Sequence, residues 1–286
     1  MDKSALLSAL AAEIEQGKLI FPTSTTAAIN IKKMLDDPDC ELDKVARLVQ
    51  AEPLLATKVV AVSNSVVFNR AGKRVTDVRS AISLLGFNMV RNLATAILTR
   101  QLAGKSANTE IVTQLWKHSA YVASLAQVIA RRVTKQNPDT AMFAGMIHEI
   151  SWFYLLSREK DFPGLTDGDF ASSWISDDDL GDETEIECEI KIGTAILKAL
   201  AVPATVIEGI TCLWEGYLAY PPTTLGDTLL VADQLSPIRS PFLLPSDETG
   251  EDIKAKMDTL TDQETLSEIL RDSEAEVKSL TEALGA

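Results

Sequence analysis

Leu115–Arg132 reads LWKHSAYVASLAQVIARR, and after a loop the chain returns over Thr140–Phe153 as TAMFAGMIHEISWF. The two stretches hold both histidines of the protein. Leu115, His118, Val122, Leu125 and Ile129 recur every three or four residues, so they share one face of a helix. Ala141, Gly145, His148, Trp152 and Leu155 do the same in the return segment, which predicts a second helix running through both His148 and Glu149. Each histidine therefore lies in an apolar stripe directed at the core. Asn137-Pro138 breaks the chain between them, so the helices pack as neighbours with His118 and His148 facing each other. Glu149 follows about 100° further round, at the edge of that face. Two inward histidines and an adjoining carboxylate suit a buried metal site. They equally suit a pair of core histidines hydrogen-bonded to each other or to Glu149.

Outward from this pair, the rest of the chain also reads as helix. Leu6, Leu7, Leu10, Ala11 and Ile14 form an amphipathic N-terminal helix; Phe21-Pro22 opens a second that Asp37-Pro38 ends. Leu42–Val49 stops at Glu52-Pro53, and Leu55–Val62 closes at Ser63-Asn64-Ser65. Val78–Leu85 is capped by Gly86 and followed by a helix on Val90, Leu93, Ala94 and Ile97. After Phe162-Pro163-Gly164 and an acidic segment, helices resume at Ile190–Leu200, after Val202-Pro203, and at Gly226–Leu235. Leu266, Ile269, Leu270 and Val277 give the tail an apolar side that docks on the body. No run alternates polar and apolar residues, so the fold class is all-α.

Composition narrows the function. Of the net charge of −14, the Ser176–Glu189 segment and the Ser246–Ala286 tail each carry −8, which leaves the other residues at +2. This balance argues against nucleic acid or an anionic membrane as the main partner. A helix-turn-helix look-alike at Leu42–Asn64 has only Lys58 as a basic residue in its would-be reading helix, too few for groove entry. Cys40, Cys188 and Cys212 form no CxxC and read as reduced thiols. No apolar run reaches membrane-spanning length. A cytoplasmic protein is expected.

In order and spacing, Phe21-Pro22, Asp37-Pro38, Glu52-Pro53-Leu54-Leu55, Ser63-Asn64-Ser65 with Phe68, Ala81-Ile82, Leu84-Leu85-Gly86 and Val90-Arg91-Asn92-Leu93 resemble the HDOD domain, a relative of the HD and HD-GYP phosphohydrolases. The resemblance covers roughly Gly17 to Trp214. It implies an HD-like helical bundle with an N-terminal helical HDOD part: residues 1–107, then an HD-like part at 108–240, then the acidic tail at 241–286. In the catalytic relatives a histidine, a His-Asp pair and a downstream Asp bind metal. The matching residues here are His118, His148-Glu149 and Asp233 of VADQL. Further histidines of the HD-GYP kind fall at Glu189 or a neighbour, Leu213 and Trp214.

These departures decide the expectation. A catalytic metal needs several ligands in fixed geometry and an open position for water. Glu in place of Asp moves the carboxylate by about 1.5 Å, off the metal unless the backbone compensates. His118, His148, Glu149 and Asp233 are therefore expected to be vestigial, with no metal or other cofactor, and Glu189, Lys191 and Trp214 to line the remaining pocket. The resemblance then implies a non-catalytic bacterial signal-transduction module that acts on other signalling proteins. The alternatives are a residual phosphohydrolase holding one divalent iron, manganese or zinc ion, and a module that binds a nucleotide without cleaving it.

Overall fold

Short polar residues and prolines set most helix starts among the described residues. The computed structural model describes residues 3–19, 26–35, 37, 40–104, 106, 108–161, 183–216, 218–242, 255 and 266–285. The Phe21-Pro22 entry, Pro38, the Phe162–Gly164 break, the acidic run at 176–182 and the first part of the tail lie outside them. The first half holds α1 (Lys3–Glu15), α2 (Thr26–Leu35), α3 (Leu42–Gln50), α4 (Pro53–Ser63), α5 (Val78–Leu85) and α6 (Phe87–Leu102). Pro53 sits in the first turn of α4, where no N–H is needed. Asp77 caps α5 by accepting from the Ser80 N–H at 2.8 Å.

The second half begins with α7 (Thr109–Ile129), which runs on into a π-helical turn at Ala130–Thr134. It starts well before Leu115, because Asn108 caps it through the Ile111 N–H. Next come α8 (Pro138–Ile147), α9 (Ile150–Ser157), α10 (Glu183–Ala199), α11 (Ala204–Glu215) and α12 (Leu225–Gln234). The last elements are α13 (Leu266–Asp272) and α14 (Glu274–Gly285). No strand occurs among the described residues, so the fold is all-α. No single helix among them is long and apolar enough to cross a membrane.

One aliphatic core runs from Leu7 to Leu284. The two halves meet where α6 packs on α8 and α9, and α1 crosses over to lie on α10. At the other end, α14 lies across α7 and α4 and buries Val277, Leu280 and Leu284. Its last carbonyls, which no helical N–H can satisfy, are met by side chains of α4 and α7. Lys58 Nζ donates to Leu284 O at 2.7 Å and Ala283 O at 3.4 Å, and Trp116 Nε1 donates to Leu284 O at 3.0 Å. Arg131 pairs with Glu276 on the flank. Lys58 is thus buried, and desolvation together with the charge of Arg100 brings its ammonium down to about 8. The one basic residue of the would-be DNA-reading helix faces α14.

Helices α7 and α8 cross closely at Gly145. A Cβ on Gly145 would lie 2.6 Å from Ala123 Cα and 2.9 Å from Ala123 N. Those are backbone atoms and cannot swing aside. Gly145→Ala is expected to cost about 1–3 kcal/mol by forcing the helices apart, read as a lower urea midpoint at unchanged m-value. A wild-type midpoint would mean that the crossing tolerates a wider gap.

Candidate functional site

The α7–α8 crossing puts His118 and His148 together, with Nε2 atoms 3.2 Å apart and rings 5.2 Å between centroids. The helix predicted to run on through Glu149 does not. α8 ends at Ile147, α9 begins at Ile150, and Glu149 takes φ −90°, ψ 19° between them. The Trp214 indole donates to the carbonyl of His148 at 3.0 Å, which supplies that carbonyl with a partner at the break. The step swings the Glu149 carboxylate inward, so Oε1 lies 3.3 Å from His118 Nε2 and 3.7 Å from His148 Nε2. The backbone has taken up the extra methylene.

Asp233 completes the cluster from the last turn of α12. A capping box of Thr224 and Asp227 fixes the start of that helix. Asp233 Oδ1 is 3.0 Å from His118 Nε2 and 3.8 Å from His148 Nε2. Both imidazoles are oriented from behind. His118 Nδ1 donates to Ile238 O at 2.6 Å and His148 Nδ1 to Gly145 O at 2.7 Å. A carbonyl can only accept, so each Nδ1 carries the hydrogen and each neutral ring turns a lone pair inward through Nε2. The acceptor atoms of His118, His148 and Asp233 therefore lie within 4.8 Å of one another, with Glu149 Oε1 3.3 Å from His118 Nε2. With both rings neutral, Glu149 Oε1 and Asp233 Oδ1 have no donor among the described residues. The side chains of His118, His148, Glu149 and Asp233 are 0%, 3%, 5% and 13% exposed.

Such a cluster demands a positive charge at its centre. In the metal-free chain a proton supplies it. Burial pulls His118 down, but the hydrogen bonds and charges of Asp233 and Glu149 outweigh that and raise it to about 10. Burial, with the charge of His118 beside it, holds His148 below its usual value. Burial pushes Asp233 up, yet the His118 imidazolium brings it below the ordinary carboxylate range.

A pH dependence follows. The contribution of His118 is complete below pH 6.5 and is lost as pH rises toward about 10, because the unfolded ring gives up its proton first. His148 acts oppositely: below pH 6.5 the unfolded ring takes up a proton that the folded one resists. Lys58 adds stability only above about 8. Metal-free protein should therefore lose up to about 1.4 kcal/mol per pH unit between pH 6.5 and 8. Urea midpoints in chelator would show it, and a flat profile in the wild type would mean that His118 does not hold the proton.

The expected pocket residues divide. Trp214 stands against the site through His148 O and fills the space over Gly193, where a Cβ would meet its ring at 2.3 Å. Lys191 does not join the cluster: its side chain is 54% exposed and reaches back to Glu187 on its own helix. The side chain of Glu189 lies outside the described residues. Ile238 and Gly145, which aim the histidines, were not legible in the sequence, because every residue has a carbonyl. Ile238 belongs to a strap held down by Gln114 on Arg239 O and by Phe242 stacked on Trp152 at 4.1 Å.

The family model for the HDOD domain matches residues 21–215. The chain belongs to the HDOD family. Solved structures with this HDOD fold include a candidate metal-dependent phosphohydrolase of Shewanella amazonensis SB2B, at 22% identity and TM-score 0.73, with 98% of each chain covered. An HDOD domain protein of unknown function from Geobacter sulfurreducens matches at 20% identity and TM-score 0.61, over 99% of this chain and 98% of its own. A candidate signal transduction protein of Marinobacter aquaeolei VT8 matches at 19% and TM-score 0.58, over all of this chain and 67% of its own. No curated protein matches the sequence.

Proposed function

We propose that this HDOD protein is a signal-transduction regulator that works by contact with other proteins and turns over no substrate. The observation that carries this reading is the closure of the cluster. His118, His148 and Glu149 are buried, Asp233 nearly so, and Trp214 and the 236–242 strap lie against them. A nucleotide needs a cleft that buries most of its surface against the reacting groups. A groove of about 930 Å³ beside α4 and a cleft of about 400 Å³ between α7 and α14 exist, and none of the four residues lines either. The similarity to the Marinobacter signal transduction protein supports the same reading.

A second reading is favoured by Glu149 Oε1 and Asp233 Oδ1, which have no donor among the described residues whenever both imidazoles are neutral. His118, His148 and Asp233, whose acceptor atoms lie within 4.8 Å of one another, fit one divalent cation, with the Glu149 carboxylate beside them. Bound there, the cation would supply the positive charge that the proton on His118 otherwise provides, and Lewis acidity at any open position. It is compatible with the first reading as a structural ion.

One experiment tests both. Protein purified without chelator is assayed for iron, manganese and zinc, and for phosphodiester turnover with added manganese. No turnover is expected. Turnover that disappears in His148→Ala would overturn the regulator reading, and stoichiometric metal lost in the same variant would establish the ion.

A further inference from the structure

The groove beside α4 has a chemistry the buried cluster does not use. Val60, Ala61, Val66 and Val75 give it an apolar floor, and Val66 is 48% exposed, unusual for a large aliphatic residue here. Its outer wall is formed by Asn69, Gly72 and Arg74 of the turn Asn69–Arg74, and Arg70 and Lys73 stand on the same turn, all three cationic residues exposed. None of the three makes an ion pair among the described residues. The turn is built rather than loose. Asn64 clamps its far end by donating to Val75 O at 2.7 Å and accepting from Val75 N–H at 2.8 Å. Asn69 donates to Lys73 O at 2.8 Å and accepts Gly72 N–H through its own carbonyl at 3.1 Å. The Ser63-Asn64-Ser65 motif thus holds this wall in place.

Charge makes the groove stand out. Leu54–Leu85 contains five basic residues and one acidic one, in a protein of net charge −14. Lys58 is buried under α14, and Arg79 is paired with Asp43. The one acid, Asp77, is occupied as the cap of α5. What remains is Arg74 on the wall of an apolar groove, with Arg70 and Lys73 beside it on the same backbone-clamped turn.

We propose that this groove seats an acidic peptide segment of a partner protein, with one apolar side chain on the valine floor and carboxylates against Arg70, Lys73 and Arg74. Nucleic acid fits less well: no aromatic residue lines the groove to stack on bases, and a polyanion meets the repulsion of the whole chain. The assignment rests on the contact-regulator reading and gives it a surface and a partner chemistry.

The test selects random short peptides, displayed on phage, against the full-length protein. Winners are expected to carry Asp and Glu around an apolar residue. Labelled copies should bind the R70E/K73E/R74E variant at least about tenfold more weakly, with an unchanged melting temperature because all three side chains are exposed. Absence of acidic winners, or winners that bind the variant equally well, would overturn the groove. In that case peptides that bind elsewhere would still leave the contact reading standing, whereas turnover would remove it separately. A single-stranded oligonucleotide bound with the same dependence on the three residues would reassign the groove to nucleic acid. Sedimentation showing a wild-type dimer that the variant abolishes would reassign it to a second copy of this chain.

Discussion

A chain ending at Ser273 should fail to reach a stable native state. The cut removes Val277, Leu280 and Leu284 from the core, and each such burial is worth roughly 1.5–3 kcal/mol. Together they approach the whole stability of a typical domain, about 5–15 kcal/mol. The cut also takes away the carbonyls that satisfy Lys58 and Trp116, leaving a buried ammonium and a buried indole N–H facing the gap. Loss of the cooperative melting transition in circular dichroism is expected. The milder Leu280→Ala should keep the fold and cost about 2–5 kcal/mol. A truncated protein that melts like the full chain would mean that α14 is an ornament on a core complete without it.

His118→Leu should be the most damaging single change at the cluster, at about 3–5 kcal/mol. The substitution itself is of acceptable size and polarity for a core. The damage comes from Glu149 and Asp233, left as neighbouring buried carboxylates with no imidazolium between them. Adding Glu149→Gln and Asp233→Asn should therefore recover most of the loss, since the charges that needed neutralising are gone. A triple variant no more stable than His118→Leu would refute the electrostatic account and leave packing as the cause. Urea denaturation in chelator at pH 7 separates the two results.

Much of this architecture was legible in the sequence, for reasons that differ by residue. The stripes on α7 and α8 put His118 and His148 face to face because apolar periodicity and Asn137-Pro138 are local signals. The tail's apolar positions likewise marked a docking helix, and Leu266, Ile269 and Val277 are buried. The break at His148-Glu149 was hidden, since no Gly or Pro marks it and φ −90°, ψ 19° is open to any residue. Its partner, the Trp214 indole, comes from a helix 66 residues away. The sequence rightly set Lys58 aside as too lone a base to read DNA, but its actual role was hidden because its acceptor lies 226 residues further on. Lys191 was placed by proximity in the chain, and an ordinary i,i+4 pair with Glu187 keeps it on the surface.

The crossing of the two chain ends has its own consequence. The first helix is fastened to the later half, on α10, while the last helix is laid over both halves, on α7 and α4. The two chain ends thus act as straps that tie one half to the other. A fragment ending at residue 107 is therefore expected to lay bare the apolar surface that α10 and α14 cover in the full chain.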